Sequence, residues 1–316
     1  MIQVIGAFDG FHKGHQLLLK ESERLSVEQN DTWGVVTFTP HPQYVFNPDR
    51  LFLLFTEAEK RQIASALHIQ NILWMPFDQY IAALNPLDFL RRLESQTSVT
   101  GIVVGENFRF GAGRKGDIAF LRQYCKKKNI LFSPVPTLEI DGLAVSSTVI
   151  RSEVLSGRMQ MAKYLLGYPF FLYETVVHGH HRGRELGFPT ANLTVPDHKI
   201  IPPSGTYAAT VIIDGSFHPG ALNIGSNPTF TDVKGLRIEV HIPGFSDDLY
   251  NKKIMVFIEE YLRSEKRFSN RQALAKQLSR DSEIAVTLFE ENTERENPFY
   301  RRFSQQFLHK EHLPIE

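Results

Sequence analysis

The first half of the chain alternates short apolar runs with stretches of helical periodicity. The apolar runs are compact and partly β-branched, as is typical of buried strands, and they cover residues 2–5, 33–38, 69–74, 101–104 and 130–135. Helices are predicted between them at 14–25, 57–67, 86–94 and 117–128, the last with Asp117 as N-cap and Asn129 as its end. This alternation predicts an α/β domain in which a parallel sheet has helices on both faces.

The second half follows a different pattern. Residues 149–166 have helical periodicity that stops before Gly167 and Pro169. Strands are then predicted at 170–177, 206–213, 220–224, 236–242 and 253–262, separated by glycine, proline and aspartate turns. A helix over about 270–291, capped by Ser269 or Asn270, follows them. We therefore predict two domains, the α/β domain at 1–166 and a small antiparallel barrel with a C-terminal helix at 167–316.

Composition narrows the class of protein. Hydrophobic residues make up 42% and charged residues 22% of the 316-residue chain, which is ordinary for a globular protein large enough for two cores. Basic and acidic residues both number 35, so no basic bias indicates nucleic acid as a partner. Cys125 is the only cysteine, which excludes an internal disulfide and a multi-cysteine metal site. Without a signal peptide or an apolar run long enough to span a membrane, the sequence predicts a cytoplasmic protein with no membrane partner.

A phosphate-binding turn is predicted where the first strand meets the first helix, at residues 6–15. Its glycines allow the backbone to approach a ligand closely, and the helix start offers free N–H groups to a phosphate. His12 and His15 can donate hydrogen bonds to phosphate oxygens as charge develops during transfer. A lone histidine is more often structural, but a pair at a strand-to-helix turn favours catalysis. The residues of this turn predicted to bind the ligand are Gly6, Phe8, Asp9 and Gly14.

A second candidate site lies in residues 178–193, which are rich in glycine, arginine and histidine. Thr190 and Asn192 are two positions apart, so in an extended segment both side chains face the same side. Their oxygens suit Mg²⁺, which keeps waters and takes few protein ligands besides nucleotide phosphates. A zinc site at the histidines is disfavoured, because no cysteine or acidic ligand stands at a suitable spacing. The residues of this segment predicted to bind nucleotide are Gly187, Pro189, Thr190 and Asn192.

Four segments of the first half resemble the flavin branch of the HxGH nucleotidylyltransferases. Residues 6–15 carry the HxGH signature, and residues 38–42, 105–111 and 146–151 are similar to the FxPHP segment, the loop after the fourth strand and the SSTxIR motif of that branch. Asn107, expected to contact the nucleotide, replaces an aspartate that many relatives have. In the last motif Ser147 and Thr148 stand at a helix start, where they can hold phosphates, and Arg151 follows one turn later to neutralise pyrophosphate.

The second half resembles the riboflavin kinases. Residues 189–192 match their PTAN motif, 223–230 their NIGxxPTF turn, 237–241 the strand with their catalytic glutamate, and 248–250 their DLYG turn, with Asn251 in place of glycine. The resemblance implies that Glu239 accepts a proton from the ribityl 5′-hydroxyl, while Thr190 and Asn192 hold Mg-ATP. The role of Glu239 rests on the resemblance, because a glutamate in a strand is most often a solvated outward residue.

In this order the motifs identify the chain as a member of the bacterial bifunctional riboflavin kinase/FAD synthetase family. The resemblance implies a Rossmann-like FMN adenylyltransferase domain followed by a Greek-key barrel kinase domain. It implies that riboflavin and ATP give FMN and ADP, and that FMN and ATP give FAD and pyrophosphate with His12 and His15 stabilising the transition state.

Two alternatives stay open. One is a single-activity enzyme whose other domain only binds flavin, and the other is a flavin-sensing regulator that keeps the fold. The regulator would be expected to have lost catalytic residues, and none is missing. Residues 293–316 extend beyond the usual end of the family, and we expect an added helix docked by its aromatic residues rather than a partner-binding tail.

Overall fold

The computed structural model describes residues 1–47, 52–179, 187–226, 235–266, 268–292 and 298–308. Contacts between residues divide the chain into two compact units, Met1–Val149 and Ile150–Glu316. Each unit has its own sheet and its own buried core, and each is described separately. The domain boundary near Gly167 stays a prediction from the sequence.

A parallel sheet forms the centre of the first unit. Its described strands are β1 (Ile2–Ile5), β2 (Trp33–Thr39), β3 (Ile72–Pro76), β4 (Gly101–Gly105) and β5 (Leu131–Val135), in the order β3-β2-β1-β4-β5. Every neighbouring pair is parallel, and Val4 of β1 lies between Val35 and Val103. The central strand β1 therefore delivers its carboxyl end to the edge of the sheet where open α/β folds bind their ligands. The predicted α/β architecture is confirmed.

Helices connect these strands. They are α1 (Lys13–Glu28), α2 (Pro42–Phe46), α3 (Glu57–Ala66), α4 (Gln79–Ala83), α5 (Pro86–Gln96) and α6 (Ile118–Lys128). Helices α2 and α4 were not predicted, because five residues are too few for a helical period to show. The caps of α6 are as predicted: Asp117 accepts a hydrogen bond from Phe120 N at 2.9 Å, and Asn129 ends the helix at φ 56°.

The single helix predicted over 149–166 is wrong. The segment is two helices, α7 (Ser147–Leu155) and α8 (Met159–Leu166). Gly157 between them has φ 71°, a left-handed conformation that glycine adopts without strain and that ends α7. The backbone N–H of Arg158 donates back to Glu153 O at 2.9 Å, which completes the turn. A short hairpin of β6 (Glu139–Ile140) and β7 (Leu143–Ala144) precedes α7.

The described strands of the second unit close into an antiparallel barrel. They are β8 (Phe171–Val177), β9 (Thr190–Leu193), β10 (Gly205–Ile213), β11 (Ser216–Ser226), β12 (Leu236–His241) and β13 (Lys253–Arg263), in the order β10-β11-β12-β9-β8-β13. Leu222, Ile238 and Val240 are fully buried, whereas the alternate positions Asn223 and Glu239 are half-exposed. The predicted barrel is confirmed, with β9 as a short strand that sequence analysis did not list.

Helix α9 (Arg271–Glu291) packs against β10 and β11. It begins after Asn270, whose side-chain oxygen accepts a hydrogen bond from Ala273 N at 2.8 Å. Arg263 at the end of β13 forms a two-point ion pair with Asp281 of α9, with Nε and Nη2 at 3.0 and 2.6 Å from Oδ2. Asp281 is only 2% exposed, so this pair fixes the helix over the outer face of the barrel.

Helix α10 (Pro298–Leu308) docks through aromatic side chains. Tyr300 and Phe303 are buried, and their ring centroids lie 5.2 and 5.5 Å from that of Phe257 in β13. This is the docked helix expected for the C-terminal extension, of which residues 293–297 and 309–316 lie outside the described part of the chain. Among the described residues no helix is both long and apolar enough to cross a membrane.

Candidate active sites

The first candidate site is the turn between β1 and α1. Phe8 (φ 47°), Gly10 (φ 93°) and Phe11 (φ 36°) adopt left-handed conformations, which bend the chain sharply between strand and helix. The rings of Phe8 and Phe11 stack with centroids 5.1 Å apart and are fully buried, so they anchor the turn in the core. A side chain at Gly6 would meet the Phe8 ring at 3.1 Å, which explains the glycine.

His12 and His15 form a stacked pair at the start of α1. Their ring centroids are 3.6 Å apart, and His12 caps the helix by accepting a hydrogen bond from His15 N at 3.3 Å. His15 Nδ1 is buried and has no hydrogen-bond partner among the described residues. Burial, the neighbouring His12 and the Lys60 ammonium hold the pKa of His15 well below its usual range, so the ring is neutral at neutral pH. A neutral imidazole still donates one N–H bond, which is sufficient to stabilise charge on a phosphate.

Asp9 and Ser147 hold this turn to its surroundings. The Asp9 carboxylate accepts hydrogen bonds from the backbone N–H groups of Leu54 (3.0 Å) and Phe55 (3.4 Å). The Asp9 carbonyl accepts a third from Ser147 Oγ at 2.9 Å. Ser147 and Thr148 open α7, so the histidine turn and the start of the SSTxIR segment meet in the structure.

Lys60 is a residue of this site that sequence analysis missed. Its Nζ donates hydrogen bonds to Ala7 O and to Thr37 Oγ1, both at 2.7 Å, and the side chain is buried. Burial lowers the pKa of Lys60 to about 8. Lys60 belongs to α3, far along the chain from the turn, and no local motif distinguishes it from other lysines, so the sequence offered no signal.

Three further predicted residues of the first site, Asn107, Arg151 and Gly14, lie in different elements of the structure. Asn107 follows β4, and its amide donates a hydrogen bond to Thr137 Oγ1 at 3.0 Å. Arg151 lies in the middle of α7. Gly14 lies in the first turn of α1, where a Cβ would stand 3.2 Å from the His12 ring. The absence of a side chain at Gly14 therefore leaves space for the His12 ring.

The second candidate site lies on the outer face of the barrel. Thr206 of β10 pairs with Asn223 of β11. Asn223 pairs in turn with Glu239 of β12, and Glu239 with Asn192 of β9. Because neighbouring strands are about 4.8 Å apart, these four residues form a polar row across the face. Thr190 stands two residues before Asn192 on the same face, as predicted.

Two clefts meet at Thr190 and Asn192, which line both of them. The turn cleft, of about 450 Å³, is also lined by residues 245–250. The helix cleft, of about 420 Å³, lies between the polar row and α9 and contains Glu239. An elongated ligand in the helix cleft and a second ligand in the turn cleft would therefore approach each other beside the polar row.

Glu239 and His241 face the site from β12. The Glu239 carboxylate lies 3.6 Å from Arg237 Nε and is partly exposed, so it remains accessible to a ligand. His241 Nδ1 lies 2.8 Å from the carbonyl oxygen of Pro189, which holds the start of β9 against β12. The contact with His241 thus fixes the backbone at Pro189, and with it the register in which Thr190 and Asn192 pair with β12.

Gly179 keeps space for the Asn192 side chain. A Cβ at position 179 would lie 2.2 Å from Asn192 Nδ2, closer than atoms can approach. From the sequence, Gly179 was expected only to make the glycine-rich loop flexible. Gly187 has φ 81° at the other end of that run. Residues 180–186, with His180 and His181, and residues 227–234, which include the second half of the predicted NIGxxPTF turn, lie outside the described residues.

Comparisons with known proteins decide the family. A model of the FAD synthetase family matches residues 1–149, and a model of the riboflavin kinase family matches residues 166–289. The bifunctional riboflavin kinase/FMN adenylyltransferase of Pseudomonas fluorescens is 34% identical over 288 residues, which cover 91% of this chain and 92% of that protein. The chain belongs to the bifunctional riboflavin kinase/FMN adenylyltransferase family.

Two further members of this family match over the same share of the chain. The relatives from Escherichia coli K12 and Bacillus subtilis are 33% and 30% identical, and each match covers 91% of this chain and 92% of the relative. A solved structure described as a macrolide-efflux protein from Streptococcus pneumoniae has a TM-score of 0.81 at 29% identity, covering 90% of this chain and 93% of that one. That likeness concerns the fold, and the family rests on the two family models and the curated relatives.

The two matched ranges contain different candidate residues. The histidine turn, Ser147 and Thr148 fall in the FAD synthetase match, and the polar row falls in the riboflavin kinase match. Arg151 lies between the two matched ranges. The resemblance inferred from the motifs is confirmed, and apart from Arg151 the residues of each candidate site fall within one of the two matches.

Proposed function

We propose that this chain carries out both reactions of its family, phosphorylating riboflavin to FMN and adenylylating FMN to FAD. The observation that carries the proposal is the coexistence of two candidate sites in one chain, the stacked histidines of the turn and the polar row beside two clefts. ATP serves as co-substrate in both reactions, and riboflavin, FMN and FAD are the flavin ligands. Each site keeps the residues that its chemistry needs, which disfavours a single-activity enzyme and a flavin sensor.

In the kinase reaction Glu239 acts as the general base. Its carboxylate takes the proton of the ribityl 5′-hydroxyl, the hydroxyl oxygen bonds to the γ-phosphorus of ATP, and the γ-phosphorus bond to the bridging oxygen breaks to release ADP. Riboflavin occupies the helix cleft, because that cleft contains Glu239. ATP occupies the turn cleft, so donor and acceptor meet at Thr190 and Asn192, which line both. Gly187 and Pro189 set the approach of the chain to the nucleotide.

The same two residues fit Mg²⁺. A threonine hydroxyl and an asparagine carbonyl are the hard oxygen donors that this ion prefers, and here they stand two residues apart on one face of β9. No group of three or more His, Cys, Asp or Glu side chains in the described part of the chain could hold a metal, so Thr190 and Asn192 would share the ion with nucleotide phosphates. When bound, Mg²⁺ neutralises charge on the phosphates.

In the adenylylation reaction the substrate phosphate is itself the nucleophile. An oxygen of the FMN phosphate bonds to the α-phosphorus of ATP, and the bond from that phosphorus to the β-phosphate oxygen breaks to release pyrophosphate. His12 and His15 donate hydrogen bonds to the reacting phosphates, and Arg151 neutralises the leaving pyrophosphate. The starts of α1 and α7 add backbone N–H groups and helix dipoles, and Asn107 contacts the nucleotide.

Product analysis with two sets of variants tests this division of labour. Purified protein is incubated with riboflavin, ATP and Mg²⁺, and the flavins are separated by chromatography. We expect the wild type to make FAD through FMN, Glu239→Gln to leave riboflavin unchanged, and the His12→Ala, His15→Ala double variant to accumulate FMN. Glu239→Gln should still convert supplied FMN to FAD. A wild type that makes only FMN, or binds flavin and makes neither product, would contradict the proposal.

We also propose that the protein works in the cytoplasm. Cys125 is buried, and burial raises the pKa of its thiol to about 11, so it stays protonated and unreactive. A chain without a disulfide does not need an oxidising compartment.

A further inference from the structure

Thr206 is the member of the polar row farthest from Glu239, and the kinase chemistry gives it no task. Its side chain is 3% exposed and lines the helix cleft. Its Oγ1 is buried and has no hydrogen-bond partner among the described residues. A buried hydroxyl that is left unpaired destabilises the folded protein, so an unpaired one in a ligand cleft calls for an explanation.

The polar neighbours of Thr206 are engaged with other groups. Arg263 of β13 is the strand-pairing partner of Thr206, and its guanidinium is bonded to Asp281. Thr210 lies on the same face of β10, and its hydroxyl donates to Glu259 Oε1 at 3.1 Å. The two threonines thus differ: the hydroxyl of Thr210 is bonded within the protein, whereas that of Thr206, a residue that lines the helix cleft, has no partner in the described part of the chain.

The distance between Thr206 and Glu239 determines which part of the ligand Thr206 can contact. Two strand spacings separate it from Glu239, a distance of about 10 Å. With the 5′-hydroxyl of riboflavin at Glu239, the ribityl chain runs along the polar row and the ring system lies at its far end. The edge of that ring system carries carbonyl oxygens and ring nitrogens. These groups can accept a hydrogen bond from a hydroxyl, and a ring N–H can donate one to it.

We propose that Thr206 is a specificity-determining residue of the kinase site whose hydroxyl hydrogen-bonds the ring system of the flavin. The inference rests on the proposed function of the helix cleft. The hydroxyl has no partner among the described residues of the free protein and gains one in the complex, so part of the binding free energy comes from satisfying it. A site with a buried polar group to satisfy rejects ligands that lack the matching atom.

The test compares Thr206→Val with Thr210→Val, a control on the same strand face. Dissociation constants are measured for riboflavin and for lumiflavin, which has the same ring system without the ribityl chain, and melting temperatures are measured without ligand. For Thr206→Val we expect both dissociation constants to rise roughly tenfold, the worth of one hydrogen bond. We also expect its melting temperature to rise, because an unpaired hydroxyl is removed. Thr210→Val should keep both dissociation constants and melt lower, because Glu259 loses a donor.

Three results would overturn the inference: unchanged dissociation constants for Thr206→Val, weakened binding of riboflavin alone, or a lower melting temperature for the free variant. The second would place the contact on the ribityl chain, and the third would show that the hydroxyl is structural. Conversion of FMN to FAD by the same variants should stay at the wild-type rate. A wild type that binds flavin but does not phosphorylate riboflavin would overturn the proposed function, while the comparison of dissociation constants would still test Thr206.

Discussion

Replacing Gly179 with alanine tests whether the kinase site depends on the placement of the Asn192 amide. A Cβ at 179 would lie 2.2 Å from Nδ2, 2.4 Å from Cγ and 2.5 Å from Oδ1 of Asn192, all far below the 3.4 Å at which ordinary contact begins. The clash falls on the end of a flexible side chain and not on backbone, so the barrel should still fold. The amide must turn away, by about 1 Å or more.

The expected effect is large because a reacting group or a ligand displaced by about 1 Å can slow a reaction by roughly a hundredfold. A hundredfold loss corresponds to about 2.7 kcal/mol in the activation free energy. We therefore expect the kcat of riboflavin phosphorylation to fall roughly a hundredfold in Gly179→Ala. The conversion of supplied FMN to FAD uses the other candidate site and should stay at the wild-type rate.

A double-mutant cycle makes this reasoning refutable. If Gly179→Ala acts through Asn192, the double variant with Asn192→Ala should be no slower than Asn192→Ala alone. The assay is the initial rate of FMN formation under saturating ATP, measured for the wild type, both single variants and the double variant. An unchanged kcat in Gly179→Ala, or losses that add in the double variant, would refute the idea that glycine here makes room for the amide.

Three further predictions follow from other contacts. Because burial lowers the pKa of Lys60 from 10.5 to about 8, the unfolded state binds more protons between these values. The stability of the first unit should thus rise with pH relative to Lys60→Met, by roughly 2.5 kcal/mol between about pH 7 and pH 10. Denaturant unfolding followed by tryptophan fluorescence measures this, since both tryptophans lie in that unit, and parallel pH profiles would refute it. Asp281→Asn should destabilise the second unit by about 3 kcal/mol, because it leaves the Arg263 guanidinium, whose side chain is only 15% exposed, without its charged partner. Thermal unfolding followed by circular dichroism measures the loss, and the apolar pair Arg263→Met, Asp281→Leu is a control that should recover most of it. Gly14→Ala should slow FAD formation at least tenfold by crowding the His12 ring at 3.2 Å, while riboflavin phosphorylation is unaffected; equal loss of both activities would indicate misfolding.

The parts of each site that could be predicted from the sequence are those in which one short segment carries the chemistry. His12, Gly14 and His15 lie within a single turn, and the shared face of Thr190 and Asn192 follows from the two-residue period of a strand. Both arrangements depend on local backbone geometry, so the motif and the structure agree there.

The parts that could not be predicted depend on contacts between distant segments. The polar row exists because four strands pair in one register, and nothing near Thr206 in the sequence indicates that it aligns with Glu239. Lys60 reaches the histidine turn from α3 for the same reason. The break in the helix predicted over 149–166 was missed because a single glycine such as Gly157 is tolerated within a helical pattern and only its φ shows which role it takes.

The most direct test of the central claim is to follow the two labelled ends of ATP through the reaction. Wild-type protein is incubated with riboflavin, Mg²⁺ and ATP labelled at either the γ-phosphate or the α-phosphate, and the flavins are separated and counted. Two sites that transfer different parts of ATP predict γ-label in both FMN and FAD, α-label in FAD alone, and one ADP and one pyrophosphate for each FAD. FAD formed from riboflavin without γ-label, or FMN that carries α-label, would contradict the account.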